Sequence, residues 1–249
     1  MTNNTEQALK QLPLEFSLHN YMGRDDFMVS DCNRQAFTLL DSWPDWVSGG
    51  LFIYGPEGCG KSHLAHLFAD KVRQFSQGKI NVEIVAAEQV NMRNVKRLAE
   101  ENQVIVVENV CSRHNDEALF HLFNMFNEVG RYMLWTAENA ANRLHFSLPD
   151  LQTRLNMLPS VAIDEPDDMM LQMLTVKLFN DRQIIIGQEV LNYILNNARR
   201  SFAYIRDLVQ EIDEISLALQ CAVNYNVVKK AMESLAEKET KEPDLFGEY

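Results

Sequence analysis

Apolar residues recur along this chain with two periods, and the periods alternate. Ala36, Phe37, Leu39 and Leu40 mark an amphipathic helix that Pro44 stops. Leu51-Phe52-Ile53-Tyr54 is a short apolar run of strand character, followed by a glycine-rich turn and then by Leu64, Leu67, Phe68, Val72 and Phe75 at helical spacing. Ile80, Val82 and Ile84 alternate as in a strand, and a helix is expected over 88–100. Val104-Ile105-Val106-Val107 is an unbroken β-branched run, the pattern of a parallel strand buried on both faces, and it delivers Glu108 and Asn109 at its carboxyl end. Asp116 and Glu117 open a helix that presents Ala118, Leu119, Leu122, Phe123, Phe126 and Val129 on one face and closes at Gly130. A strand at 133–135 ends at Thr136, Ser147 and Pro149 signal a serine-capped short helix, and a last strand spans 160–163.

Beyond Glu165 the texture is wholly helical, with Met169, Met170, Met173, Leu174 and Leu178 followed by helices over 190–198, 202–219 and 225–235. Strands alternating with helices predict a parallel α/β sheet flanked by helices, and the second part a small all-α domain. The expected divisions are an extended arm over 1–22, the α/β domain over 23–164, the helical domain over 165–235 and a charged tail over 236–249.

Composition narrows the classes. The chain has 249 residues, 46% of them hydrophobic, enough for a substantial core. No apolar stretch reaches a membrane span, and the polar start Met1-Thr2-Asn3-Asn4-Thr5-Glu6 is not a signal peptide, so a cytoplasmic protein is expected. A net charge of -12 argues against broad nucleic-acid binding, which needs a cationic surface. Cys32, Cys59, Cys111 and Cys221 are scattered without a C-x-x-C pair, and read as buried thiols rather than zinc ligands or disulfides.

The chemistry concentrates in the turn after the first strand. Gly55, Gly60, Lys61 and Ser62 fit G-x-x-x-x-G-K-[ST], in which backbone N–H groups cradle phosphates, the lysine reaches the β/γ oxygens and the hydroxyl holds Mg²⁺. Gly55, Pro56, Gly58, Cys59, Gly60, Lys61, Ser62 and His63 are therefore the candidate nucleotide-binding residues, with ADP or ATP and Mg²⁺ as cofactors. His63 and His66 lie one helical turn apart, but with no third ligand they read as packing residues. Met169, Met170 and Met173 read as core. Near the N-terminus, Gln11-Leu12-Pro13-Leu14-Glu15-Phe16 alternates apolar residues where Pro13 disfavours a helix. Such a segment either lies along its own core or docks into a partner's groove.

The order of phosphate loop, strand with a polar end, threonine-ended strand, arginine before the last strand and helical lid resembles the AAA+ ATPase domain. Asp26-Phe27-Met28-Val29 with Asn33, Gly60 to His63, and Leu148-Pro149-Asp150-Leu151 with Arg154-Leu155 are similar to the DnaA family of replication proteins, most of all its short Hda-like regulatory branch. The resemblance implies that Gln11, Leu12, Leu14 and Phe16 bind the DNA polymerase sliding clamp, with Asp244-Leu245-Phe246 as a weaker second contact. It implies an AAA+-type homo- or hetero-oligomer, with the initiator DnaA as a partner. Without a helix-turn-helix module after the lid, no autonomous DNA binding is expected.

In the same resemblance Glu108 holds Mg²⁺ beside Ser62, and Asn109 stands where a second acid orients the attacking water. An amide cannot act as a base, so weak or no intrinsic ATPase activity is expected. An alternative register makes Glu108 the second acid and leaves Val107 at the metal position. Thr136 matches the position that feels the γ-phosphate, and Arg206 the lid arginine that reaches the nucleotide; Arg199 and Arg200 read as solvated. Arg154 is either an arginine finger acting in trans or a partner of Asp150 four residues earlier, and Arg143 is the next candidate finger. The rival reading is an autonomous AAA+ ATPase such as a helicase loader or remodeller.

Overall fold

The computed structural model describes residues 27–111 and 115–241; the motif at Gln11, Leu12, Leu14 and Phe16 and the tail residues Asp244-Leu245-Phe246 lie outside them. Five parallel strands form one sheet in the order β2-β3-β4-β1-β5, with β1 Gly50–Tyr54, β2 Val82–Ala86, β3 Val104–Val110, β4 Tyr132–Ala137 and β5 Ser160–Ala162. The connecting helices are α1 Arg34–Asp41, α2 Lys61–Phe75, α3 Val95–Glu101, α4 Asp116–Glu128 and α5 Pro149–Asn156. Four more helices follow: α6 Asp168–Asp181, α7 Gln188–Asn197, α8 Phe202–Leu219 and α9 Tyr225–Lys241.

The period of two in the strands sorts side chains to two faces. Leu51, Ile53, Val104, Val106 and Leu134 pack with Ala36 and Leu40 of α1 and Leu64, Phe68 and Val72 of α2. Phe52, Ile105, Val107, Met133 and Trp135 pack on the other side with Leu98 of α3, Leu119, Leu122 and Phe126 of α4 and Leu151 and Leu155 of α5. This two-sided cover explains why Val104–Val107 can be wholly apolar: all four are fully buried. The helical part has its own core of Phe179, Ile194, Ile205, Leu208, Ile212 and Val228. Met170 and Phe202 instead join the α2-side core and tie the helices to the sheet.

Three local expectations are corrected. The helix expected over 88–100 begins only at Val95, after a 3₁₀ turn Ala87–Gln89. Asn side chains supply the reason: Asn94 Oδ1 accepts from Asn91 N–H (2.9 Å), and its amide donates to Gln89 O (2.8 Å), bonds that compete with the helix ladder. Ser147 is not the α5 cap; Leu148 occupies that position, and the serine turns to Asp116. Met169 is 61% exposed, unlike the buried Met170.

Glu211 on α8 is clamped to α9, accepting from Lys238 Nζ (2.5 Å) and Ser234 Oγ (2.7 Å). The Lys238 ammonium lowers its carboxyl pKa, burial opposes this, and Ser234 adds to the lowering. A depressed folded pKa means the bond stabilises above the unfolded glutamate value of about 4.3 and is lost as pH falls through the folded value. Glu211→Gln should flatten this part of the stability profile, leaving acid unfolding below about pH 4 less steep in circular dichroism. Identical acid profiles for the two proteins would contradict it.

Candidate nucleotide site

The loop between β1 and α2 is shaped by two glycines with positive φ, Gly58 at 76° and Gly60 at 96°. Gly60 is the last residue before α2, so its left-handed turn aims the helix N-terminus back at the loop. The loop is also crowded from outside. A Cβ on Gly58 would stand 2.0 Å from Arg206 Nη2 and 3.3 Å from Phe202 Cβ, and one on Gly60 would stand 3.2 Å from the Phe27 ring. Absence of side chains thus lets α8 and the chain entering at Phe27 close directly onto the backbone.

Lys61 is buried, with Nζ donating to Gly55 O (2.7 Å) and Pro56 O (2.8 Å). Its ammonium is therefore held against the loop backbone as a compact point charge. Cys59 Sγ lies 3.8 Å from it. Burial raises the Cys59 thiol pKa, with the Lys61 charge working in the opposite direction, so the sulfur stays protonated. Cys32 is raised by burial as well.

At the carboxyl end of the sheet, β3 continues beyond the apolar run and carries Glu108 and Asn109. Pairing runs on to Val110 opposite Ala137, with an irregularity between Val107 and Val110 that places Glu108 and Asn109 against the single residue Thr136. Asn109 adopts φ 57°, a left-handed conformation asparagine tolerates better than most residues, and its N–H donates to Thr136 Oγ1 (3.3 Å). Glu108 remains in register with Ala86 of β2. Strand alternation puts it on the α2 side with Val104 and Val106, whereas Val107 packs on the α3–α5 side. Glu108 Oε1 is buried with no hydrogen-bond partner. An orphaned carboxylate oxygen on the phosphate-loop side fits a divalent cation, which carboxylates and hydroxyls ligate.

The structure brings Thr136 beside Glu108 and Asn109, and Arg206 against Gly58. Arg154 belongs elsewhere: α5 lies in the layer across the sheet from α2, and Arg154 is exposed near its end. It makes no ion pair with Asp150 or any other carboxylate among the described residues. Arg143, in the 3₁₀ turn Ala141–Arg143, is also exposed and neighbours α5 through the Gln152 Nε2 bond to Ala141 O (2.5 Å). His63 is half-buried with its ring edge-on to Phe27 at 5.3 Å, and His66 is exposed. Among the described residues no group of His, Cys, Asp or Glu is arranged to hold a metal by itself, and no helix is long and apolar enough to cross a membrane. Phe27 and Phe202 were not identified as site residues from the sequence. Phe27 stands in the stretch Asp26-Phe27-Met28-Val29 that carries the family resemblance, whereas nothing local in the sequence marks Phe202.

The bacterial DnaA ATPase domain profile matches residues 18–161. The chain is 23% identical to an uncharacterized protein of Haemophilus influenzae, over 90% of this chain and 98% of that one. It is 24% identical to the chromosomal replication initiator protein DnaA of Flavobacterium psychrophilum, covering 89% of this chain but spanning only 49% of that protein's length. Among solved structures it is similar to domain III of Thermotoga maritima DnaA, with a TM-score of 0.72 at 18% identity over 86% of this chain and 96% of that one. It is also similar to AMPPCP-bound DnaA from Aquifex aeolicus, with a TM-score of 0.64 at 17% identity over 87% and 68% of the two chains.

Proposed function

Because this chain belongs to the bacterial DnaA ATPase domain family, we propose that it is a nucleotide-bound regulator of replication initiation. In this reading it docks on the DNA polymerase sliding clamp and stimulates ATP hydrolysis by the initiator DnaA, in the manner of the Hda-like branch its motifs resemble. The observation that carries the reading is a separation of parts across the sheet. The loop that carries Lys61 and Ser62 leads into α2 on one side of the sheet, with Arg206 against its Gly58, while Arg154 is exposed on α5 in the opposite layer, without an ion pair among the described residues. An arginine so placed serves a nucleotide held by a neighbour better than its own.

The backbone from Gly55 to Ser62 with Lys61 and Arg206 would hold the phosphates of ADP or ATP, and Ser62 with Glu108 would hold Mg²⁺. When bound, the metal neutralises charge on the phosphate oxygens. Asn109 takes the second polar position at the end of β3, and its amide has no basic atom to accept a proton from water. Own turnover is then slow, and the bound nucleotide works as a structural switch under the Arg206–Phe202 end of α8. A second reading, an autonomous AAA+ ATPase, is favoured by the completeness of loop, carboxylate and lid arginine; it lacks the base. Faster phosphate release from ATP-loaded initiator on adding this protein and DNA-loaded clamp tests the first reading, and no acceleration refutes it.

The clamp contact rests on Gln11-Leu12-Pro13-Leu14-Glu15-Phe16, whose sequence offers apolar residues as anchors and a proline that disfavours a helix. A synthetic peptide of this stretch should bind clamp in calorimetric titration, and replacing Leu12 and Leu14 by alanine should cost at least about 2 kcal/mol, as anchor residues do. Silence from the unmodified peptide would remove the clamp from the account. The tail sequence around Leu245-Phe246, titrated alongside, is expected to bind more weakly.

A further inference from the structure

Asp116 opens α4, yet it does not cap α4. Asn115 does, its Oδ1 accepting from Ala118 N–H at 3.0 Å. The Asp116 carboxylate reaches instead to the segment that enters α5, where Oδ2 accepts from Ser147 N–H (2.5 Å), Ser147 Oγ (2.6 Å) and Leu148 N–H (3.3 Å). The residue is 5% exposed, and Oδ1 is buried with no hydrogen-bond partner. A buried carboxylate with one oxygen unsatisfied is costly, and it persists here on three donors from a single short stretch of chain.

That stretch needs an outside grip. α5 has eight residues, too few for a helix to stand alone, and its own cap residue Leu148 offers no side-chain acceptor. Its N-terminus is fixed by Asp116, and its body by buried Leu151 and Leu155 and by the Gln152 bond to Ala141 O. We propose that Asp116 is a positioning residue for Arg154, holding the start of α5 so that the guanidinium is presented at a fixed place to a neighbouring molecule's nucleotide. The proposal rests on the trans-acting reading of Arg154.

The lever is short and stiff. Arg154 stands six residues beyond the Leu148 cap, about 9 Å along the helix, so a tilt of about 10° at the N-terminus displaces its Cα by about 1.5 Å. Misplacement on that scale costs on the order of 10²-fold in a step that depends on precise approach. Loss of the grip should therefore reduce the maximal rate of stimulated hydrolysis while leaving the concentration for half-maximal stimulation unchanged, because docking uses other residues.

The test is hydrolysis of initiator-bound ATP in the presence of clamp on DNA, titrated with full-length wild type, Asp116→Ala, Asp116→Asn, Ser147→Ala, Arg154→Ala and the Asp116→Ala/Arg154→Ala pair. Asp116→Ala should lower the maximum on the order of 10²-fold. Asp116→Asn, which keeps an acceptor oxygen, should recover most of it. The double variant should be no worse than Arg154→Ala, since a positioning residue has nothing left to position. Ser147→Ala, which removes one bond from the far side with little risk to folding, should lower the maximum several-fold with an unchanged melting temperature. Full stimulation by folded Asp116→Ala, or by Ser147→Ala, with Arg154→Ala inactive, overturns this proposal alone. Full stimulation by Arg154→Ala overturns the reading beneath it. Losses that add in the double variant, or that move only with melting temperature, make Asp116 a structural residue and also overturn the proposal.

Discussion

Replacing Arg154 with alanine is expected to reduce the stimulated hydrolysis of initiator-bound ATP by about 10³-fold or more, within the 10³ to 10⁵ that a guanidinium supplied from a neighbouring subunit contributes in phosphoryl transfer. Nucleotide binding and clamp binding should be unchanged. The reason is geometric. α5 carries Arg154 on the far side of the sheet from α2, so the substitution alters nothing at Gly55–Ser62. Stability should change little, because Arg154 is exposed and makes no ion pair among the described residues, while Leu151 and Leu155 supply the buried face of α5. Arg154→Lys should recover little activity, since an ammonium lacks the planar fork that contacts two phosphate oxygens together. Filter binding for nucleotide and phosphate release for activity separate the two effects. Full stimulation by Arg154→Ala would move the role elsewhere, with the neighbouring Arg143 next in line.

Lys61→Ala should abolish nucleotide binding. The wild type at a nucleotide concentration of 100 times Kd is expected to gain about 2.7 kcal/mol, which for a chain of this size is a rise in Tm on the order of 5–10 °C. The variant should show no rise at the same concentration. Lys61 is buried and bonded to Gly55 O and Pro56 O, so the ligand-free variant also loses two charge-assisted bonds and should melt below the ligand-free wild type. Lys61→Met keeps most of the side-chain volume and separates that structural loss from the loss of binding. Thermal melts with and without ADP or ATP read both quantities, and a nucleotide-dependent rise in either variant would contradict the role assigned to the ammonium.

The turn between β1 and α2 was legible in the sequence because its signal is local: closely spaced glycines between an apolar run and a helical period define it. The strand Val104–Val107 was legible because four consecutive β-branched residues are the pattern of a strand covered on both faces, as these four are. What escaped reading was set by tertiary contact. Arg206 could be matched by position, but its approach to Gly58 depends on how α8 is carried back by the lid packing around Met170 and Phe202. The irregularity at Glu108-Asn109 has no glycine to announce it, and its left-handed residue is an asparagine. Ser147 reads as a helix cap from its neighbours alone; only the distant Asp116 carboxylate explains why the cap position moves to Leu148. The sequence around Gln11-Leu12 gives its chemistry but not its partner, since a short apolar motif reads the same whichever groove receives it.

The most direct measurement follows the nucleotide on each protein separately. Initiator is loaded with ATP labelled on the γ-phosphate, this protein is loaded with unlabelled ATP, and the two are mixed with clamp on DNA; the experiment is then repeated with the label on this protein instead. If the chain acts in trans through Arg154, labelled phosphate is released rapidly when the initiator carries the label, and slowly when this protein carries it. Rapid release only from the ATP held at Lys61 and Ser62 would contradict that account and identify the chain as a self-sufficient ATPase.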